Sequence, residues 1–312
     1  MISSNSIRWL LDDCKLYDSS ASGKLELNIV ELAGNLAYHA MMLEAHLTPK
    51  AGLVDCVSTG SHRDMDINTF IASSDALRPY MKQFVRAGYE METLPSGELL
   101  PKLRRVGIEA ERAMFAATNG VNTHKGMVFT LGLICGAVGW LYKKGIAYDA
   151  KNIRSVIMAC CSELVSDDLT DSKKAPVTAG ERLYKTYGMT GIRGEAASGY
   201  PTIFDYGLPV YEGCVADGYS EEQAMSQTLL SLMANNSDTN LVSRGGIEGL
   251  AFVQQQSKTL LEQTHSTSSD FEKSIQKLDK ELINLNLSPG GSADLLAATW
   301  LLAQLNICAK SN

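Results

Sequence analysis

The sequence predicts an all-α protein, and three observations carry that reading. Apolar residues recur at helical spacing: Leu32, Leu36, Ala40 and Leu43 fall at steps of four, four and three, and Leu103, Val106, Ala110, Ala113, Met114 and Ala117 line a second face. Helix starts of the form Ser/Thr-x-x-Glu/Gln stand at Thr178/Glu181, Ser220/Gln223 and Ser269/Glu272. In that arrangement the cap side chain and the third residue satisfy each other's backbone amides. Period-two alternation is almost absent, so no sheet is expected.

Along the chain, residues 1–25 read as a peripheral segment. Ile7-Arg8-Trp9-Leu10-Leu11 runs into Asp12-Asp13 with no apolar core and no small-residue cleavage site, so no export signal is expected. The uncharged stretch 127–142 carries Thr130, Gly132, Gly136 and Gly139 and is shorter than the roughly 20 residues a membrane span needs. It reads as a buried helix, with no membrane partner. Residues 187–212 are broken by Gly188, Gly191, Gly194, Gly199, Gly207, Pro201 and Pro209, and interleaved with Tyr187, Tyr200, Phe204, Tyr206 and Tyr211. An irregular but ordered binding loop is expected there. Residues 264–269 form a short polar loop between two helical flanks. The final helix should begin near Ser292 and turn Leu295, Leu296, Trp300, Leu301 and Leu305 inward. With no repeat and no linker, residues 1–312 read as one compact multi-helix domain.

Composition bounds the function. The 312 residues hold 28 basic and 35 acidic side chains, a net charge of −7, which argues against a nucleic-acid partner bound through counterion release. Seven cysteines include no C-x-x-C pair, and Cys160 and Cys161 are adjacent. That pattern suits no zinc framework and reads as reduced thiols in a cytoplasm.

Five polar clusters interrupt the helices. In 48–55, Lys50 beside Gly52 reads as a phosphate contact or as a solvated lysine on a capped turn. In 61–66, His62, Asp64 and Asp66 alternate; the two aspartates suit Mg²⁺, a catalytic base, or a helix N-terminus that favours acidic residues. In 118–126, Asn119 and Gly120 tolerate positive φ, so the loop can fold back with Asn122, Thr123, His124, Lys125 and Gly126 around an anion at the start of the apolar helix. The fourth is Arg193-Gly194-Glu195, a bidentate phosphate contact or a surface ion pair, with the nearby aromatics available to stack on a purine. The fifth joins Asp238, Asn240 and Arg244 to Gly290, Gly291, Ser292 and Asp294. Together they predict a helical protein whose glycine-rich loops form a nucleotide pocket for a polyanion.

In this order the clusters resemble the triphosphoribosyl-dephospho-coenzyme A synthase family, which serves citrate lyase and malonate decarboxylase. The resemblance rests on 48–55, 60–66, 119–126, 193–195, 238–240 and 288–294, and runs collinearly from about Leu32 to the last helix. Ala51 stands where family members often have proline.

It implies transfer of the triphosphoribosyl group of ATP to the ribose 2′-hydroxyl of 3′-dephospho-coenzyme A. Adenine is released, and the product passes to a transferase that loads an acyl carrier protein. Inversion at the anomeric carbon implies one direct displacement through an oxocarbenium-like transition state. The roles expected under the resemblance follow charge. Lys50, Lys125 and Arg193 would hold phosphates. Asp64, Asp66 and Asp294, with Asp238 as a further candidate, would bind Mg²⁺ or act on the reacting ribose, and His62 or His124 would protonate the departing base. Two other readings stay open: a Mg²⁺-dependent ADP-ribosyl glycohydrolase, suggested by Asp238-Thr239-Asn240, and a non-catalytic nucleotide-binding module. Oligomeric state and client are open at this point.

Overall fold

The computed structural model describes residues 22–91, 96–170, 178–263 and 267–310, and no strand occurs among them. The expected peripheral segment falls mostly outside this set, and its last residues already belong to the first helix. Four long helices open the fold: α1 (Ser22–His46), α2 (Ile67–Tyr89), α3 (Ser96–Ala117) and α4 (Lys125–Lys143). Short helices α5 (Ala150–Cys161), α6 (Leu164–Leu169), α7 (Ala179–Tyr187) and α8 (Gly191–Ala197) follow. A single π turn, Ile203–Gly207, leads into α9 (Leu208–Ala216). The chain closes with α10 (Glu221–Asn235), α11 (Thr239–Glu262), α12 (Ser268–Asn284) and α13 (Gly290–Lys310).

Helix α2 is the hub of the first half, packing on α1, α3 and α4. Its contact with α4 is unusually close because glycines face it. A Cβ on Gly88 would strike the Gly136 carbonyl, and one on Gly139 would strike that of Val85, so only hydrogen at these positions lets the two backbones meet. Helix α13 ties this group to the second half, packing on α1 and α4 as well as on α9 and α10. Trp300, at its middle, is fully buried and donates its indole N–H to Glu221 Oε1 at 2.6 Å; the Tyr211 hydroxyl donates to the same oxygen at 2.6 Å. Burying an aromatic of this size with its polar atom satisfied is strongly stabilising.

Helices α4 and α13 are apolar on all sides and pass a length-and-hydropathy test for membrane crossing, yet 72% and 78% of their apolar windows are buried inside the protein. They are the core helices of a helical bundle, as expected for 127–142.

The capping boxes at Thr178 and Ser220 form as the spacing predicts. The third does not: Thr267, not Ser269, caps α12, accepting from the Asp270 amide, so that helix starts earlier than its Glu272 suggested. A larger correction concerns 187–212. Instead of an irregular loop, the structure builds α8, the π turn and most of α9 there. The glycines mark joints between short helices: Gly188 ends α7 with φ 70°, and Gly199 turns at φ 73°. Residues 264–266 of the polar loop lie outside the described set.

Candidate active site

The five clusters meet at one cleft of about 480 Å³, walled mainly by helix N-termini. The turn after α1 contributes Lys50, the 61–66 turn His62, and the start of α4 Asn122, Thr123, Lys125 and Gly126. Helix α8 contributes Arg193 and Glu195, α11 Asp238, Asn240 and Arg244, and α13 Gly290, Gly291 and Asp294. Four cations (Lys50, Lys125, Arg193, Arg244) face four carboxyls (Glu44, Glu195, Asp238, Asp294), so the cleft is polar without being basic.

The deepest part is built by carboxylates seated on helix starts. Asp238 is 1% exposed and caps two helices at once. Its Oδ1 accepts from the Asn240 amide at 2.9 Å, and its Oδ2 accepts from the Ser292 amide at 2.9 Å and hydroxyl at 3.0 Å. One turn along α13, Asp294 reaches the start of α4 and accepts from the Met127 amide. Gly126 is obligatory there, because a Cβ would collide with Asp294 Oδ2. Helix N-termini that could receive an anionic ligand thus already hold internal acids. Burial raises the Asp294 pKa well above the carboxylate norm, and the neighbouring Glu44 and Asp238 charges add to it. Burial raises Asp238 as well, against the pull of its Ser292, Asn240 and Gly291 amides.

Lys50 fits neither reading of its motif. Its side chain is 1% exposed, and Nζ donates to the Glu44 carbonyl and to Glu44 Oε1, both at 2.6 Å. Its charge is neutralised inside the protein, so it is not a free phosphate ligand. Asp55 shapes the turn beneath it, accepting from the Lys50 amide and from those of Val57 and Ser58. The turn includes a cis Thr48–Pro49 bond. Gly52 lies outside the cleft, with its amide bound to Asp279 Oδ1 at 2.8 Å.

Several other expected site residues have structural positions. Asp66 is exposed and is the N-cap of α2, in a reciprocal box with Thr69. Asp64 has a side chain 63% exposed and lies 3.9 Å from His62 Nδ1. Neither lines the cleft, so the expected set Asp64, Asp66 and Asp294 does not converge. Among the described residues no group of three or more His, Cys, Asp or Glu side chains could hold a metal ion. Asn119 adopts the positive φ its type allows, 54°, but is exposed and outside the cleft. Ser292 is buried beneath it on Asp238.

The two histidines part company. His124 is fully buried behind the wall; its Nδ1 shares a 2.6 Å bond with Ser73 Oγ, which accepts from the Thr123 hydroxyl at 2.7 Å. Burial pushes its pKa down to about 3, with the Lys50 charge adding to the effect, and His124 does not line the cleft, so the structure does not place it against a departing base. His62 faces the cleft, held by Ser288 Oγ at 3.0 Å and by the Arg244 guanidinium, and burial and then Arg244 lower its pKa too. Arg244 also donates to the Ser61 carbonyl at 2.7 Å, fixing the 61–66 turn against α11. Just beyond, Gly246 breaks α11 with φ 66°.

Arg193 and Glu195 lie two residues apart on α8. Arg193 Nε donates to Asp168 Oδ2 at 3.0 Å, and Arg104 binds the other oxygen at 2.8 Å. Burial opposes the Asp168 charge, but the two arginines outweigh it and hold its pKa below the usual range. Glu195 accepts from the Thr202 hydroxyl at 2.7 Å; burial raises its pKa in spite of that bond. The aromatics expected to stack on a purine do not line the cleft: Tyr200 and Tyr211 are buried in the core, and Arg154 sits over the Phe204 ring. The aromatic side chain that faces the cleft is Phe70.

Sequence reasoning missed Glu44, Phe70 and Asp168. Glu44 left a trace, since it continues the Leu32, Leu36, Ala40 series by another step of four and so places a carboxylate on an apolar face. Phe70 reaches the cleft, and Asp168 reaches Arg193 on its wall, through tertiary packing alone.

The CitG family model, described as ATP:dephospho-CoA triphosphoribosyl transferase, matches residues 31–312. A Vibrio cholerae serotype O1 protein is 56% identical over 288 residues, 92% of each chain, and is named 2-(5''-triphosphoribosyl)-3'-dephosphocoenzyme-A synthase with the qualifier "probable". The Pectobacterium atrosepticum protein of that name, without the qualifier, is 48% identical over 264 residues, covering 85% of this chain and 86% of its own. The family pattern spans the described helices from α1 to α13: the chain belongs to the ATP:dephospho-CoA triphosphoribosyl transferase family.

Proposed function

We propose that the chain transfers the triphosphoribosyl group of ATP to the ribose 2′-hydroxyl of 3′-dephospho-CoA, releasing adenine. The observation that carries this is the convergence of the five family clusters on one cleft, where burial raises the pKa values of Glu195, Asp238 and Asp294. In the reaction the C1′–N bond to adenine breaks and a C1′–O bond forms. The hydroxyl gives up one proton and adenine takes one, so the protein's proton count is unchanged. A carboxyl whose pKa is raised by burial is suited to give a proton to the leaving group, and Asp294 is such a carboxyl on the cleft lining. Glu195, beside Arg193 on the other wall, takes the proton of the attacking hydroxyl. Phe70 offers a face for a purine, while the exposed Lys125 and the half-buried Arg193 supply positive charge for phosphates.

The carboxylates first expected to bind Mg²⁺ do not fit a protein-held ion. Magnesium belongs here only as part of the MgATP substrate, its coordination filled by phosphate oxygens and water. A cytoplasmic setting is supported by Cys160 and Cys161, adjacent and both thiols, which burial holds at pKa values of about 11 and about 12. The product would pass to a transferase that loads an acyl carrier protein.

The test is adenine release from ATP with and without dephospho-CoA. Acceptor-dependent release is expected. Release at the same rate without acceptor would identify a hydrolase, and ATP binding with no release under either condition would leave only a nucleotide-binding module.

A further inference from the structure

A second cavity of about 360 Å³ opens beside the cleft and shares Lys125, Gly126, Ile192 and Arg193 with it. Its character changes abruptly. Beyond the shared residues its walls are mainly apolar, with Phe84, Leu103, Ile108, Phe129 and Leu133 from α2, α3 and α4, and its charged groups are Arg104, Glu111 and Asp168. Ile108 is 52% exposed, so the groove reaches the surface. The two cations sit at the passage between the chambers, each steadied by a carboxylate: Lys125 by Glu111 at 3.0 Å and Arg193 by Asp168 at 3.0 Å. The Arg193 bond uses Nε, which leaves its two terminal nitrogens available for an anion.

The geometry points to this groove as the seat of the pantetheine arm of the acceptor, with the acceptor's diphosphate on Lys125 and Arg193 at the passage. Dephospho-CoA is, in order, an adenosine, a diphosphate and a long, largely uncharged arm. The protein presents, in the same order, a polar chamber, a pair of cations and an apolar groove. An acceptor laid out this way brings its ribose into the polar chamber beside Glu195, which follows Arg193 on α8. The assignment rests on the proposed transferase reaction and adds to it a basis for recognising the acceptor by its tail.

Gly107 on α3 lines the groove and gives a clean test, because a Cβ there would meet nothing closer than the Phe84 ring at 3.9 Å. With saturating ATP, Gly107→Phe should raise the KM for dephospho-CoA at least tenfold. The KM for ATP, and turnover with ADP as an acceptor lacking the arm, should change less than twofold. Ile108→Asp, at the exposed rim, should act in the same direction and guards against misfolding of the first variant. A KM for dephospho-CoA within twofold of wild type in both folded variants overturns the inference. Calorimetry separates its failure from that of the reaction itself. Wild-type protein should bind dephospho-CoA at least tenfold more tightly than ADP, and Gly107→Phe should abolish the difference whether or not adenine is released. Equal binding of the two ligands by wild type rejects the groove even if transfer is observed.

Discussion

Two acidic corners of the molecule sit in opposite surroundings. Asp238 and Asp294 lie against the N-terminal amides of α13 and α4, out of water and near Glu44, and their pKa values are raised. Asp64 and Asp66 lie on the outer turn before α2; Asp66 is fully solvated, and its bonds to Thr69 lower its pKa. Both corners carry two aspartates near glycine and serine, two residues apart in sequence at the second and brought together from α11 and α13 at the first. What separates them is desolvation, which a buried helix end imposes and a surface cap avoids. Proton retention is favoured at the first corner, and at the second the bonds to Asp66 favour the charged form.

The sharpest way to break this contrast is a pair of isosteric changes. Asp294→Asn should reduce kcat for adenine release by about 10²–10⁴, the usual range for losing a general acid, whereas Asp64→Asn should stay within twofold. Equal losses would erase the distinction. Next, Lys50→Ala strands Glu44 as a buried, unpaired charge and should cost about 3–5 kcal/mol in denaturant unfolding. A shape-preserving Lys50→Met, Glu44→Leu double variant should recover much of that stability.

The buried groups also set the response to pH. The folded-state pKa of His124 is about 3 against 6.5 for the free side chain. Its neutral burial therefore stabilises the protein fully above pH 6.5, and that contribution drains away as pH falls from 6.5 toward 3. His124→Gln should flatten unfolding free energy across that window. Asp294 has the opposite sign: with its pKa raised, its contribution is complete below about pH 3.8 and is lost as pH rises through the folded value. Lys125→Ala should lower adenine release about tenfold with little change in stability, in line with a charge-assisted phosphate contact. The smallest effect belongs to Asp66→Ala, which removes a cap and should reduce thermal stability slightly while leaving kcat unchanged.

Much of the helical framework was legible because its signals are local. The four-and-three spacing on α1 and α3, the caps at Thr178 and Ser220, and the apolar run of α4 each depend on neighbours within a few residues. Residues 187–212 misled because glycine and proline break helices, and here they break one stretch into several short ones instead of abolishing helix. At the site, residue types were legible and roles were not. Lys50 looked like any lysine beside a glycine until Glu44, across the end of α1, claimed its charge. His124 looked like a donor until the packing of Phe70, Met114 and Ser73 closed around it. Burial of a charge is a tertiary quantity, and it decided each of these cases.

The glycine seam between α2 and α4 bears on how the substrates enter. With Gly88 and Gly139 facing opposing carbonyls, those two rods meet backbone to backbone with no side chain between them at the seam. Phe70 and Lys125 are carried on this closely packed pair. Whatever adjustment admits a bulky two-substrate complex falls to the facing side, where Arg193 and Glu195 are carried on a helix of barely two turns.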